Sequence, residues 1–172
     1  MKLLIIIFLL TLNIFGEDEI SKKGLYLDVG LGATLNKYEN DINSGFLINS
    51  KVGYVIDENW IFYIDYPTIY SSIKTPTMQK DTEHNLLMTG AKYLFNSTTN
   101  TPYVATSIGI DFSKIDTINY SNNFGESWSS EVGYEFKNWY IATKYIYTTN
   151  HQYDYQNISI VVGGLIYNAF DF

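Results

Sequence analysis

The 172-residue sequence predicts an all-β fold: a transmembrane, antiparallel up-and-down β-barrel of eight strands, preceded by a signal peptide. Three observations lead to this prediction. Apolar residues recur with a period of two in eight segments, and the mature chain carries no helical apolar stripe of useful length. The connectors alternate between short and long, as in barrels of the outer membrane. Finally, the charged residues inside the strands lie opposite the aliphatic and aromatic face.

The first sixteen residues have the layout of a secretory signal peptide. A short positive start precedes an apolar run from Leu3 to Leu10, and Gly16 stands before an acidic stretch. The run is too short and wrongly flanked for a membrane-spanning helix. We therefore expect residues 1–16 to be removed and residues 17–172 to form the barrel domain. An uncleaved amino-terminal anchor is the alternative.

The first four predicted strands each place an aliphatic or aromatic series on one face and a polar or mixed series on the other. They run from Gly24 to Leu35, from Gly45 to Ile56, from Trp60 to Tyr70 and from Asn85 to Phe95. In the first strand, for example, Leu25, Leu27 and Val29 alternate with Tyr26 and Asp28. The same pattern in each of the four indicates one face toward lipid and one toward the barrel interior.

The last four predicted strands continue the alternation. They run from Tyr103 to Lys114, from Trp128 to Lys137, from Trp139 to Tyr147, and from about Asn157 to the end of the chain. The eighth strand alternates clearly as far as Val162, and Asn168 then interrupts its outward series. It is also longer than the 9–11 residues that a spanning strand needs, so we expect a bulge or a kink in it.

The connectors predict which end of the barrel faces which compartment. Those at 57–59 and 137–138 are very short and that at 96–101 is of modest length, whereas those near 36–44, 71–84, 115–127 and 148–156 are longer and polar. Bacterial outer-membrane barrels have short periplasmic turns and longer extracellular loops. With eight strands, both ends of the barrel chain fall on the short-turn, periplasmic side.

Eight charged residues within the strands share the inward face. They are Asp28, Lys51, Asp65, Lys92, Asp111, Glu131, Glu135 and Lys144. A soluble barrel would reverse this arrangement, with an apolar interior and charges outside. Facing lipid at mid-membrane, a Lys would cost about 2–4 kcal/mol. Facing inward, the charges alternate in sign for most of the circle, so that most neighbours can pair, with an acidic excess from Glu131 and Glu135.

Two interpretations of this inward cluster remain open. Eight strands enclose an interior just wide enough for side chains to fill it, and inward glycines such as Gly30 and Gly90 leave room for Lys and Tyr side chains to cross. The favoured interpretation is therefore a barrel closed by salt bridges. The alternative is a narrow, gated path for ions or small solutes, in which the acidic excess would favour cations.

Composition excludes several other classes of protein. The formal charge is −7, all eleven basic residues are Lys, and no basic cluster is present, which argues against a nucleic-acid partner. The absence of Cys excludes a disulfide framework and a thiolate metal site. Sixteen Tyr, ten Phe and three Trp suggest aromatic girdles at the membrane interfaces. Aromatic residues near the predicted loops belong either to such a girdle or to a recognition surface: Tyr70, Tyr120, Phe124, Trp128, Tyr153 and Tyr155.

The chain resembles the small eight-stranded outer-membrane barrels of the OmpA- or OmpX-like, porin-family class. The resemblance covers the mature chain and depends on three markers: the segment Gly90 to Phe95 ending the fourth strand, the segment Pro102 to Gly109 opening the fifth, and the terminal Phe172. In that class a terminal Phe belongs to the signal that the outer-membrane assembly machinery recognises. The resemblance therefore implies this role for Phe172.

Some small barrels of this membrane are enzymes, and a Ser hydrolase needs a His beside the Ser and an acid to orient that His. The only histidines are His84 and His151, which we expect to be solvated residues of the long loops. The lipid A deacylase barrels carry a His-x-Ser pair, whereas the corresponding third positions here are Leu86 and Tyr153. We therefore predict no catalytic residue, no cofactor and no metal.

The sequence predicts an integral protein of the bacterial outer membrane, most simply a structural or surface-interaction barrel without catalytic activity. Its expected partners are outer-membrane lipids and lipopolysaccharide, the assembly machinery through the carboxy-terminal strand, and an extracellular ligand of the long loops. We expect a monomer. A porin-like channel for small solutes or cations is the alternative function.

Overall fold

A computed structural model describes residues 22, 24–38, 41–74, 79–97, 100–115, 123–149 and 154–167. These residues form nine strand segments: β1 (Gly24–Tyr38), β2 (Asp41–Val55), β3 (Trp60–Asp65), β4 (Thr68–Lys74), β5 (Gln79–Leu94), β6 (Thr101–Ile115), β7 (Asn123–Glu135), β8 (Trp139–Thr149) and β9 (Asp154–Tyr167). No helix in this part of the chain is long and apolar enough to span a membrane.

The strands form one closed antiparallel sheet. The strands pair in chain order, except that β3 and β4 both pair with β2 and β5 and not with each other. Strand β1 also pairs with β9, so that the sheet has no free edge among the described residues. Closure satisfies the backbone hydrogen bonds of every strand within the wall, as a membrane requires. The predicted all-β barrel is confirmed.

The segments β3 and β4 together occupy one strand position in the barrel wall, so the wall has eight strands in total. Both pair with β2 and with β5. The register is the same on either side of the break, since Asp65 pairs with Lys51 and Thr68 with Ile48. The break falls at Pro67, which has no N–H to donate to a neighbouring strand. The predicted third strand, from Trp60 to Tyr70, therefore corresponds to this one interrupted strand.

The register fixes how the strands are offset around the barrel. Following paired residues once around the wall from Tyr26 leads back to β1 at Asn36, ten residues further along. The residues met on the way are Gly53, Tyr63, Gly90, Ser107, Ser129, Ile146 and Asn157. Strands with such a stagger tilt by about 35–45° from the barrel axis. Side chains distant in sequence therefore meet across the interior.

Inward and outward residues alternate along every strand of the wall. In β8, for example, Tyr140, Ala142 and Lys144 are buried, whereas Trp139 and Ile141 are exposed. The two faces lie as the alternation predicts, because the side-chain period of a strand is two and only two assignments exist. The buried core is thus the barrel interior.

Two belts of aromatic residues surround the outer surface. At the end with the short turns, Trp60 lies 4.9 Å from Tyr93 between ring centroids, and Phe136 stacks on Trp139 at 3.8 Å. Toward the other end lie the outward aromatics Phe46, Tyr66, Tyr70, Phe112, Phe124, Trp128, Tyr145 and Tyr147. Of the predicted loop aromatics, Tyr70, Phe124 and Trp128 thus belong to this upper belt. Tyr155 is instead buried inside the barrel, and Tyr120 and Tyr153 lie outside the described residues.

The four long polar loops predicted from the sequence are strand in much of the part that the structure describes. Strand β1 continues to Tyr38 and β2 already begins at Asp41 within the predicted 36–44 loop. Likewise β4 reaches Lys74, β6 reaches Ile115 and β9 starts at Asp154. The predicted bounds of these loops were wrong because polar residues at the strand ends were taken as loop residues. Several of them face inward and bond one another, as Ser71 does with Thr82 and Ser127 with Thr148, both at 2.7 Å.

The bulge expected in the last strand is absent from the described residues. From Tyr155 to Gly164 the pairs of β9 with β1 and with β8 follow one another without a skipped residue. Asn168, at which the alternation is interrupted, and the terminal Phe172 lie outside the described residues.

Candidate functional site in the barrel interior

All eight predicted interior charges are buried. Their exposed fractions range from 0% for Asp65 to 3% for Glu131. The structure brings seven of them together near the short-turn end. Lys22, which precedes β1, joins them, and these eight residues are here called the inner cluster: Lys22, Asp28, Lys51, Asp65, Lys92, Glu131, Glu135 and Lys144. The remaining residue, Asp111, lies elsewhere in the interior.

Lys51 is the centre of the inner cluster. Its Nζ donates to both carboxylate oxygens of Glu131, at 2.8 and 2.9 Å, although the two residues are 80 positions apart. The same Nζ lies 3.4 Å from Asp28 on the neighbouring strand. Asp28 in turn accepts hydrogen bonds from the hydroxyls of Tyr26 at 2.8 Å and Tyr140 at 2.7 Å. One cation is therefore shared by two carboxylates from different parts of the wall.

Two glycines make the approach of Tyr140 possible. A Cβ atom at Gly30 or at Gly163 would overlap the Tyr140 ring or its hydroxyl. Without side chains at these positions, the ring crosses the interior and its hydroxyl reaches Asp28. The inward glycines thus serve the filling of the interior rather than an opening.

Lys144 forms a second ion pair across the barrel. Its Nζ lies 2.5 Å from Asp65 and donates to the side-chain carbonyl of Asn49 at 2.7 Å. It is also 3.9 Å from Glu131, which links this pair to Lys51. The connection makes the inner cluster one network rather than a set of separate pairs.

Glu135 holds the end of the inner cluster nearest the short turns. It pairs closely with Lys92 and, at 3.1 Å, with Lys22, and it accepts a hydrogen bond from the Tyr167 hydroxyl at 2.7 Å. Lys92 also lies 3.9 Å from the ring centroid of Tyr103, a cation–π distance. Burial lowers the pKa of Lys22, and the charge of Glu135 opposes this shift.

The inner cluster is balanced in charge. Among the described residues it contains four Lys and four carboxylates. The acidic excess expected from Glu131 and Glu135 is therefore offset here. Sequence reasoning missed Lys22 because this residue precedes the alternating strand, so that no periodicity points to it.

A layer of apolar side chains lies beyond the inner cluster. It consists of Leu47, Ile69, Leu86, Met88 and Ile146, none of which is more than 2% exposed. On β5 the inward residues run in the order Lys92, Met88, Leu86 and His84, so the layer separates the lysine from the histidine. The layer is bordered by polar side chains of β6 and β7, because Ser107 donates to the Met88 sulfur at 3.6 Å and its hydroxyl lies 2.6 Å from that of Ser129.

A second polar group, the outer cluster, lies on the far side of the apolar layer. It comprises Asn36, Tyr38, His84, Asp111, Tyr155 and Asn157. The Nδ1 of His84 lies 2.7 Å from Asp111, its Nε2 contacts the Tyr38 hydroxyl closely, and its ring stacks on Tyr155 at 4.1 Å. Asn36 accepts hydrogen bonds from Tyr155 at 2.5 Å and from Asn157 at 2.6 Å.

The expectation that His84 is a solvated loop residue was wrong. It is fully buried within β5, in phase with the inward residues Leu86 and Met88. The alternation of β5 extends to this position and would have placed His84 inside the barrel. His151 lies outside the described residues.

The outer cluster shares one element with hydrolase sites, an acid beside a histidine. In a triad, the carboxylate orients the imidazole so that its other nitrogen accepts a proton from a nucleophile. Here that other nitrogen faces Tyr38, whose hydroxyl is 3.3 Å from Thr82, rather than a Ser. The described residues include no group of three or more potential metal ligands.

No protein-family model matches the sequence, and no match is found among curated proteins. Solved structures do match. Neisserial surface protein A superimposes with a TM-score of 0.63 at 16% identity, over 88% of this chain and 99% of that one. Ail, the attachment invasion locus protein of Yersinia pestis, matches with a TM-score of 0.57 at 14% identity, over 84% and 99%. The outer membrane enzyme PagL matches with a TM-score of 0.56 at 10% identity, over 80% and 97%.

At these identities the likeness concerns the fold. The structures are small eight-stranded outer-membrane barrels, so the resemblance predicted from the sequence is confirmed. They include both an attachment protein and an enzyme by name. The shared fold therefore does not select a function.

Proposed function

We propose that this chain is an integral protein of the bacterial outer membrane that acts as a structural or surface-interaction barrel with a closed interior. The apolar outward face, the two aromatic belts and the likeness to small outer-membrane barrels support this location. Charged residues inside and exposed apolar residues outside are the arrangement that lipid surroundings favour.

The filled interior is the observation that carries the proposal. Eight strands leave space only for side chains, and here the inner cluster and the apolar layer occupy it in succession. An ion would have to break the Lys51–Glu131 and Lys144–Asp65 pairs and then cross Leu47, Leu86 and their neighbours.

The direction of insertion follows from the chain ends. The start of β1 at Gly24 and the end of β9 at Tyr167 lie at the same end as the short turns after β2 and β7. This end faces the periplasm in our proposal, after removal of residues 1–16. The other end, where β1 and β2 extend to Tyr38 and Asp41, then faces the outside and would contact an extracellular ligand.

We propose no catalytic role for the interior. The Asp111–His84 pair lies in the barrel interior, and its imidazole contacts a tyrosine hydroxyl rather than a serine. The barrel would act as a monomer, with outer-membrane lipids and lipopolysaccharide around its wall.

The assembly machinery is the proposed partner of the carboxy-terminal strand. Deleting Phe172, or replacing it with Asp, should lower insertion into the outer membrane more than Ile158→Asp does, because recognition would depend on the terminus. Membrane fractionation with heated and unheated gel samples measures insertion. Equal losses for Phe172 and Ile158 would leave Phe172 with ordinary lipid-facing packing only.

Recording in planar lipid bilayers tests the closed interior. The purified wild-type barrel should conduct little or nothing. The double variant Lys51→Ala with Glu131→Ala serves as a comparison, since it removes the centre of the inner cluster. Steady, cation-selective conductance of the wild type would favour the porin-like alternative and contradict the closed barrel.

A further inference from the structure

The chain turns sharply where it enters the barrel wall. Gly24, the first residue of β1, has a φ of 78°, which lies in the left-handed region that residues with a Cβ rarely adopt. An extended backbone would carry the preceding residues straight out along the line of the strand. The conformation of Gly24 instead directs these residues away from that line.

Lys22, two residues before this turn, lies inside the mouth of the barrel at the short-turn end. Its exposed fraction is only 6%, although it precedes the first strand. Its Nζ donates to Glu135 on β7 at 3.1 Å and lies 5.5 Å from the ring centroid of Tyr167 on β9. Since β9 and β8 lie between β1 and β7 in the wall, Lys22 reaches across the mouth.

One carboxylate holds Lys22 in place. Glu135 pairs with Lys22 and with Lys92, and the two ammonium groups repel each other. Burial, above all, and the charge of Lys92 lower the pKa of Lys22, whereas Glu135 opposes this shift. Lys92 is part of β5, whereas Lys22 precedes the first strand. Lys22 can therefore leave the mouth without breaking the sheet, and Glu135 then keeps Lys92 as its partner.

We propose that Lys22 and Gly24 form a latch, in which Gly24 is the hinge and Lys22 closes the mouth of the barrel at the short-turn end. The closed latch covers the Glu135–Lys92 pair, and the open latch admits water to the inner cluster. Opening creates no path through the barrel, because the apolar layer lies beyond. The latch rests on these contacts alone; that this mouth faces the periplasm rests on the proposed function.

The rate at which a cysteine inside the mouth reacts with a water-soluble thiol reagent measures the latch. The chain has no Cys, so Ala105→Cys supplies a single reporter next to Lys92 and Glu131 on the paired strands. The barrel is refolded in detergent micelles, where both ends face the solvent. We expect about tenfold faster modification in Lys22→Met than with Lys22 in place, because a hydrogen bond to a charged group contributes at least this factor.

Gly24→Ala tests the hinge while Lys22 is retained. A Cβ at this position is strained at a φ of 78°, so modification of the Ala105→Cys reporter should again become faster. Lys37→Met, an exposed outward position on β1, is the matched control and should leave the rate unchanged. An unchanged rate in Lys22→Met or in Gly24→Ala would overturn the latch as proposed.

A second reporter separates opening of the latch from loosening of the whole barrel. Ser127→Cys lies inward on β7, beyond the apolar layer, and should react at the same rate with and without Lys22. Faster modification of both reporters in Lys22→Met would contradict the latch.

The wild-type latch also checks the closed interior. A heat-dependent gel shift shows that each variant is folded. Rapid modification of the Ala105→Cys reporter with Lys22 in place would contradict the closed interior and the latch with it. Slow modification that Lys22→Met does not change contradicts the latch alone.

Discussion

The inner and outer clusters occupy the same interior but are held together by different forces. The inner cluster joins four lysines to four carboxylates, and each cation has an acidic partner. The outer cluster joins one imidazole and one carboxylate to tyrosine, asparagine and hydroxyl groups. The difference shows that one barrel interior can be closed by balanced charges in one half and by a hydrogen-bond network in the other.

The consequence for stability is an unequal response to substitution. Removing one partner of a buried ion pair leaves a charge uncompensated and costs about 3–5 kcal/mol. Breaking one of the hydrogen bonds between neutral groups of the outer cluster, such as that from Tyr155 to Asn36, costs about 0.5–1.5 kcal/mol. Variants of the inner cluster should therefore lower the free energy of unfolding more than variants of the outer cluster.

Lys51→Met should have the largest effect, because it leaves both Asp28 and Glu131 without their shared cation. We expect a loss of about 4 kcal/mol in the free energy of unfolding. Urea titration of the barrel refolded in lipid vesicles, followed by gel mobility, measures it. Lys37→Met, an exposed outward position on β1, is the matched control and should change the free energy by less than about 0.5 kcal/mol. A similar loss in both variants would count against the ion-pair account.

Lys92→Met should have a somewhat smaller effect, of about 3 kcal/mol. Its partner Glu135 keeps a second cation, Lys22, and a hydrogen bond from Tyr167. Adding Glu135→Gln together with Lys22→Met should restore part of the loss, because neither a carboxylate nor a lysine is then left without its partner at that site. The same urea titrations test this, and a triple variant less stable than Lys92→Met alone would contradict it.

Tyr155→Phe should cost less, about 0.5–1.5 kcal/mol, because it removes a hydrogen bond between neutral groups. The substitution keeps an aromatic ring against His84 and removes the hydrogen bond from the Tyr155 hydroxyl to Asn36. Its free energy of unfolding is measured under the same conditions. A loss larger than that of Lys51→Met would reverse the order of the two clusters.

The inward and outward faces of the strands are predicted well, because the alternation that defines them involves only neighbouring residues. A period of two has only two possible faces, so Lys51, Lys92 and Lys144 are placed inside by their neighbours alone. The same rule extends to His84, yet the polar residues near it favoured a loop over a strand. Polar residues are compatible with a strand here, since the interior supplies partners such as Tyr38 and Asp111.

Contacts across the interior are harder to predict. Lys51 pairs with Glu131, 80 residues away, because of the ten-residue offset that accumulates around the barrel. The order of positive and negative residues along the chain suggests only that charges on adjacent strands can pair, as those of Lys51 and Asp28 do. Lys22 has no periodic neighbours at all, so its pairing with Glu135 becomes visible only in three dimensions.

Two double-mutant cycles test most directly whether the inner and outer clusters are held together by different interactions. One combines Lys51→Met with Glu131→Gln, and the other combines His84→Phe with Asp111→Asn; each yields the coupling energy of its pair from four free energies of unfolding. We predict a coupling of about 2–3 kcal/mol for Lys51 and Glu131, and of about 1 kcal/mol for His84 and Asp111. A His84–Asp111 coupling equal to or larger than that of Lys51 and Glu131 would contradict the assignment of charge-based closure to the inner cluster.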